Sequence, residues 1–313
     1  MTTPQLSMML LTFSAEDPGG WDHLVRLAVD ADAAGVDRMS LPDHVAFGEQ
    51  LDAYGDPKLG GTAGGRQPTG PDGHWLEPLT TIAHLTAVTD RIRFGTGILI
   101  AALRRPVVLA KTAATIDVLS GGRLDHGVGV GWQREEYEAA GLDFDDRGAQ
   151  LDHTLEVCET LWREREANHR SDRLAFSSIH QMPKPVQAGG VPIWVSGTVN
   201  RRAMRRLARF GSGWIPWGPD AVDLPSGIQK MRAAVEAEGR DPSGIGVVAN
   251  LPIVTDDQGA FDAAATMAPV PDLVAAGATD FRAGVRIPRG ATDAQDRLAE
   301  VVAAFRAAVG RDD

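Results

Sequence analysis

The chain has 313 residues, 43% of them hydrophobic and 23% charged, the balance of an ordinary globular protein large enough to bury a substantial core. Its net charge of −11 argues against nucleic acid as a partner, because phosphates would be repelled. One cysteine, Cys158, excludes an intramolecular disulfide; no apolar run reaches about 18 residues, so no membrane partner and a cytoplasmic location are expected.

Leu6 to Thr12 is an almost continuous apolar run, the pattern of a strand buried on both faces. A helix follows from Trp21, its apolar side formed by Leu24, Val25, Leu27, Ala28 and Ala31, and Ala34-Gly35-Val36-Asp37 closes it into the next strand. The same junction returns at Phe210-Gly211-Ser212-Gly213-Trp214 and at Ala276-Gly277-Ala278. Between them, Arg105-Pro106 opens a helix that Gly121-Gly122 stops, Arg123 to Val130 reads as a strand, and Arg134 to Ala140 is helical again. Strands are expected near 6–12, 37–41, 92–99, 123–130, 192–197, 213–216, 245–254 and 280–286. Their alternation with helices predicts a parallel sheet closed as a (β/α)8 TIM barrel, with an open doubly wound sheet as the alternative. Two stretches break the repeat, a glycine-rich insertion near 46–76 and a polar, proline-bearing one near 167–190. Neither marks a boundary, so residues 1–313 are expected to form one domain, with the first insertion acting as a lid.

Chemistry in such a barrel gathers where the strands end. Leu41-Pro42-Asp43-His44 ends the second strand; His44 is the group able to exchange a proton near neutrality, and Asp43 could fix its tautomer or bond a cofactor. Thr96-Gly97-Ile98 puts a glycine inside a strand, which suits a bulge, a barrel-corner bend or a ligand's close approach. Gly129-Val130-Gly131 ends the fourth strand with bare backbone, suited to a flat ligand or to close helix–strand packing. Glu135 and Glu136 fall in a helix's first turn, where carboxylates complement the dipole from solvent. Ser196-Gly197-Thr198-Val199-Asn200 leads into a helix, a place for either a phosphate or plain N-capping. Phe13, Trp75, Trp132 and Trp217 lie near loop ends and can wall a substrate pocket, although Cys158 sits in a core stripe with Leu151, Leu155, Leu161 and Trp162. No histidine pair has ligand spacing and Thr12-Phe13-Ser14 offers none at the first strand's end, so no metal is expected.

Gly95-Thr96-Gly97-Ile98, the Gly121-Gly122-Arg123-Leu124 turn and Gly127-Val-Gly-Val-Gly-Trp-Gln-Arg-Glu-Glu136 together resemble the luciferase-like monooxygenase superfamily, most closely its branch that uses the deazaflavin F420. The resemblance runs from Leu6 to Phe305. It implies that Asp43 and His44 lie against the deazaflavin ring, with His44 beside the reacting carbon. It implies a bulge at Gly97-Ile98, with a non-proline cis peptide backing the ring, and a cofactor phosphate at the 196–200 turn. It aligns Glu135 with a cofactor-contacting asparagine. At Trp132 the chain departs from the glucose-6-phosphate dehydrogenase branch, whose matching residue is an acidic glutamate; an indole cannot transfer a proton that way. The implied activity is hydride transfer between F420 and a small organic substrate. The alternatives are an FMN-dependent monooxygenase of the same fold and a flavin-binding protein without turnover. Relatives in this family are commonly homodimers, and a homodimer is expected by that analogy.

Overall fold

A computed structural model of the chain describes residues 3–311. In chain order the strands are β1 Gln5–Met9, β2 Phe13–Ser14, β3 Arg38–Leu41, β4 His74–Trp75, β5 Arg93–Thr96, β6 Leu124–Val128, β7 Ala167–Arg170, β8 Ala175–Ile179, β9 Ile193–Gly197, β10 Gly211–Pro216, β11 Gly246–Leu251 and β12 Asp280–Ala283. Eight of them close a barrel in the order β1-β12-β11-β10-β9-β6-β5-β3, every neighbour parallel. This is the expected (β/α)8 barrel, and each of the eight anticipated segments supplies one strand. The strands are shorter than the apolar runs. The third stops at Thr96, where the ladder breaks at a cis Gly97–Ile98 peptide and resumes at an isolated Leu99–Val128 bridge.

Local chemistry explains the connections. Helix Asp22–Ala34 ends on Gly35 in the left-handed conformation (φ 91°), whose N–H bonds the carbonyls of Ala31 and Asp32. Helix Pro106–Leu119 has proline at its first position, where the missing N–H costs nothing. The helices bury apolar stripes against the outward faces of the strands: Met8, Met39, Leu41 and Phe94 are each 3% exposed or less. Cys158 and Trp162 are buried in helix Arg147–Arg163, and burial raises the Cys158 thiol pKa, as befits a core residue. Among the described residues, no helix is long and apolar enough to cross a membrane.

The barrel's interior is polar near its lower end. Arg38 of β3 reaches Asp125 of β6 (3.0 Å) and Asp280 of β12, while Arg93 pairs with Asp125 at 2.8 Å. The Ser7 hydroxyl donates to Asp280, and the Arg38 guanidinium lies 4.6 Å from the centre of the Trp194 ring.

Both insertions are structured. The first carries a 3-10 turn at Leu51–Gly55 and returns through β4, which pairs antiparallel with β2. It is fastened over the loop after β6: Gln133 donates to the Gly48 carbonyl at 3.2 Å, and a Cβ on Gly60 would sit 2.8 Å from the Gly131 oxygen. The second forms the antiparallel β7–β8 pair and then runs along the helices, where Asp117 accepts from the backbone of Val186 at 2.7 Å and Lys184 caps the Leu161 carbonyl at 2.6 Å.

Candidate active site

His44 sits three residues beyond β3, at the end of the barrel where the strands finish. Its Nδ1 lies 3.2 Å from Oε2 of Glu136, whose carboxylate is buried and whose Oε1 accepts from the Val45 N–H at 2.5 Å. The solvated, dipole-complementing role expected for Glu136 is therefore wrong. Helix Arg134–Ala139 turns Glu136 and Tyr137 inward together, so its second acidic residue faces the barrel. A carboxylate acceptor at Nδ1 fixes that nitrogen as the proton carrier and leaves Nε2 for a substrate. No described residue bonds Nε2. Aromatic rings surround the imidazole: Phe47 at 4.4 Å, Trp75 edge-on at 5.0 Å and Trp132 edge-on at 5.6 Å.

Asp43 does not hold His44. Its carboxylate accepts from the Ile100 N–H (2.8 Å) and from both terminal nitrogens of Arg104 (2.5 and 2.9 Å), and Arg104 also reaches Glu77 at 2.9 Å. With its oxygens so engaged, Asp43 tethers β3 to the turn after the bulge. Burial raises its pKa against the opposing pull of Arg104.

The glycine positions divide. At Gly97 a Cβ would lie 3.1 Å from the Ser40 Cβ and 3.3 Å from the Met9 sulfur, so side chains of β1 and β3 back this point, and Gly97 and Ile98 are half-buried. Gly129 and Gly131 are filled from within the protein. A Cβ on Gly129 would meet the Ile98 side chain at 2.9 Å, one on Gly131 would meet Ile100 at 3.1 Å, and Gly131 has φ 68°. Here the close-packing reading holds, and neither glycine offers its bare face to a ligand. Glu135 also turns from the barrel: its carboxylate accepts from Gln50 N–H at 3.3 Å, and its side chain packs on Gly48 of the lid.

At the 196–200 turn, Asn200 caps helix Arg201–Phe210 by accepting from the Ala203 N–H at 3.0 Å. The Val199 N–H already donates to the buried Asp220 carboxylate at 2.7 Å, which removes it from the donors expected to face a phosphate. Ser196, Gly197 and Thr198 remain partly accessible, and Arg201 and Arg202 are exposed beside them. Arg206 is buried and pairs with Asp152.

Three of the four anticipated pocket aromatics gather around His44: Phe13 stacks on Trp75 at 4.2 Å, and Trp132 meets Tyr54 of the lid edge-on at 5.4 Å. Trp217 stands apart, its indole N–H bonded to the Gly61 carbonyl of the lid at 3.0 Å. The sequence reading overlooked Phe47 and Tyr54 because they lie within the glycine-rich insertion, where no periodicity marks an inward face. It also passed over Asn250, which is exposed near the end of β11 between buried Ala249 and Leu251, and Arg282 beside it. Their signal was a polar residue at an inward parity of a barrel strand.

The family model described as "Luciferase-like monooxygenase" matches residues 5–312. An uncharacterised protein of Mycobacterium bovis is 33% identical over 166 residues, 53% of this chain and 58% of that protein, so the match spans little more than half of the relative. The oxygenase component of the flavin-dependent trigonelline monooxygenase of Acinetobacter baylyi is 34% identical over 121 residues, 38% of this chain and 33% of that protein. Among solved structures, an F420-dependent secondary alcohol dehydrogenase in complex with an F420–acetone adduct superposes with a TM-score of 0.73 at 17% identity, covering 97% of this chain and 99% of that one. Monooxygenase RslO1 of Streptomyces bottropensis gives 0.70 at 20% identity, covering 96% and 97%. At such identities the structural likeness speaks for the fold.

Proposed function

Because the chain belongs to the luciferase-like monooxygenase family, we propose that this oxidoreductase moves hydride between deazaflavin F420 and a small organic substrate. One observation carries the reading: His44, oriented by buried Glu136, with Nε2 unengaged among aromatic rings at the open end of the barrel. The residues present fit a flat ring. Gly97 and Ile98 offer a half-buried ledge backed by Ser40 and Met9, and Asn250 is solvent-exposed near the end of β11 across the barrel. Ser196, Gly197 and Thr198, with Arg201 and Arg202, are the groups left to hold a phosphate-bearing tail.

When bound, the deazaflavin supplies the hydride chemistry. The protein supplies place and proton. Gly97 and Ile98 would back the ring, Asp43 holds that ledge through Ile100 and Arg104, and the first insertion, fastened at Gly48 by Gln133 and at Gly61 by Trp217, would cover it. At a substrate carbonyl or alcohol, His44 Nε2 gives or takes the proton that accompanies hydride transfer.

A flavin-dependent oxygenase is the second reading, supported by the similarity to the trigonelline monooxygenase component. Anaerobic assays separate the two. The first reading expects oxidation of reduced F420 by a panel of ketones and aldehydes without oxygen. Turnover seen only with reduced FMN and oxygen would replace it. His44→Ala is expected to lower turnover about 10²–10⁴-fold while changing cofactor affinity only a few-fold; unchanged turnover would remove His44 from the chemistry. A homodimer stays a proposal drawn from relatives, tested by light scattering.

A further inference from the structure

Inside the barrel, five charged side chains lie near one another: Arg38, Arg93 and Arg282 against Asp125 and Asp280. The two carboxylates are taken up by Arg38 and Arg93, together with the Ser7 hydroxyl. Arg282 is the cation left over. Its Nε is buried without a hydrogen-bond partner, and no described residue accepts from the rest of its guanidinium. Protein surrounds the side chain, and burial, with Asp280 opposing and Arg38 reinforcing, draws its pKa below the ordinary arginine value. Arg282 nevertheless stays partly exposed, because it lines a small cavity in the barrel with Arg38, Ser40, Thr96, Asp125, Gly127, Ile215 and Asp280.

Its neighbour across the ladder is Asn250, the register partner on β11, whose amide is exposed and bonded to no described residue. Asp280 acts on Arg282 as a nearby charge but forms no hydrogen bond with it, and the Asn250 amide meets solvent, so both side chains keep donors free for a ligand. The placement matters too. The Gly97–Ile98 ledge directly follows β5, the third strand around the barrel, and β11 and β12 are the seventh and eighth, forming the facing wall. Arg282 and Asn250 would then face a ring held against that ledge from across the barrel.

We propose that Arg282 and Asn250 form a subsite for a carboxylate group on the substrate, so that the enzyme acts on an organic acid bearing its reactive centre away from that carboxylate. The subsite rests on the cofactor placement given above, since that placement makes the β11–β12 wall the substrate side. Arg282 offers paired N–H donors matched to a carboxylate, and Asn250 adds a neutral donor at its edge. The bound carboxylate also balances the excess interior cation.

Binding without cofactor separates this subsite from the cofactor reading. Cofactor-free protein is titrated calorimetrically with benzoate and with benzamide, a neutral molecule of the same shape. The subsite predicts benzoate binding at least about tenfold tighter, the scale of one charge-assisted contact. Arg282→Gln should abolish that preference, and Arg282→Lys should retain part of it. Equal binding of the two probes, no benzoate binding by folded protein, or a preference undiminished in Arg282→Gln would overturn the proposal. If Arg282→Gln fails to fold by circular dichroism, Asn250→Leu decides: a several-fold weakening of benzoate alone supports the subsite, and no change refutes it. Failure to bind F420 with benzoate selectivity intact would count against the cofactor reading only.

Discussion

The lower and upper halves of the barrel interior use the same residue types to opposite ends. Below, Arg38, Arg93, Asp125, Asp280 and Ser7 bond one another, and Trp194 lies over the Arg38 guanidinium. Above, His44 keeps one nitrogen unbonded and Asn250 faces solvent, while Arg282, level with Ser7 at the border of the two halves, has a buried Nε with no hydrogen-bond partner. A satisfied polar network rigidifies a fold, whereas a preorganised and unsatisfied one is ready for a ligand. The difference lies in what each side chain meets. On the proposed function, the lower half is expected to govern stability and the upper half binding and turnover.

Removing Asp280 attacks the lower half directly. Asp280→Ala strips Arg38 of one carboxylate and Ser7 of its acceptor, and stability should fall by about 3–5 kcal/mol, the usual cost of breaking a buried pair. Urea unfolding measures it; a loss below about 1 kcal/mol would mean that the network adds little. In the upper half, Glu136→Gln should behave inversely. An amide N–H facing Nδ1 selects the wrong imidazole tautomer, so turnover drops about 10²–10³-fold. The melting temperature should move far less than in Asp280→Ala, and equal loss of both properties would erase the distinction between the halves.

His126, on β6, has neither ring nitrogen hydrogen-bonded and lies near Trp162, outside both networks. Burial lowers its pKa from 6.5 to about 4. Between these values the unfolded chain binds more protons than the folded one, so stability is complete above about pH 6.5 and drains away as pH falls toward 4. The loss from this group amounts to about 3 kcal/mol at most. His126→Leu should flatten the slope of stability over that window; an unaltered slope assigns acid sensitivity to other groups. Smallest of all, Glu135→Ala should change stability and turnover little, by about 0.5 kcal/mol or less, because its bond to the lid is long and partly exposed. A large fall in turnover would show that this lid contact matters to the chemistry.

The architecture was legible from the sequence because glycine-closed helices and apolar strands alternate in a pattern that few folds satisfy. The motif glycines and the Asp43-His44 pair lie together at the end of the barrel where the strands finish. Their detailed roles were harder to read. Sequence leaves Asp43 either to fix the His44 tautomer or to bond a cofactor, yet Arg104, sixty-one residues onward, occupies both of its oxygens. Glu136 was placed in solvent because a carboxylate in a first helical turn has a ready local explanation; its contact with His44 spans 92 residues and left no local trace. Gly129 and Gly131 carried a ligand-like pattern and proved to be packing against Ile98 and Ile100. Local spacing records turns and faces. It does not record which long-range partner reaches a side chain first.

The most direct measurement is a titration of the purified protein with oxidised F420 and, separately, with FMN, following quenching of the intrinsic tryptophan fluorescence, to which Trp75 and Trp132 beside His44 contribute. Saturable F420 binding, at least about tenfold tighter than FMN binding, is the predicted result. FMN binding tighter than F420, or no binding of either by folded protein, would contradict the account.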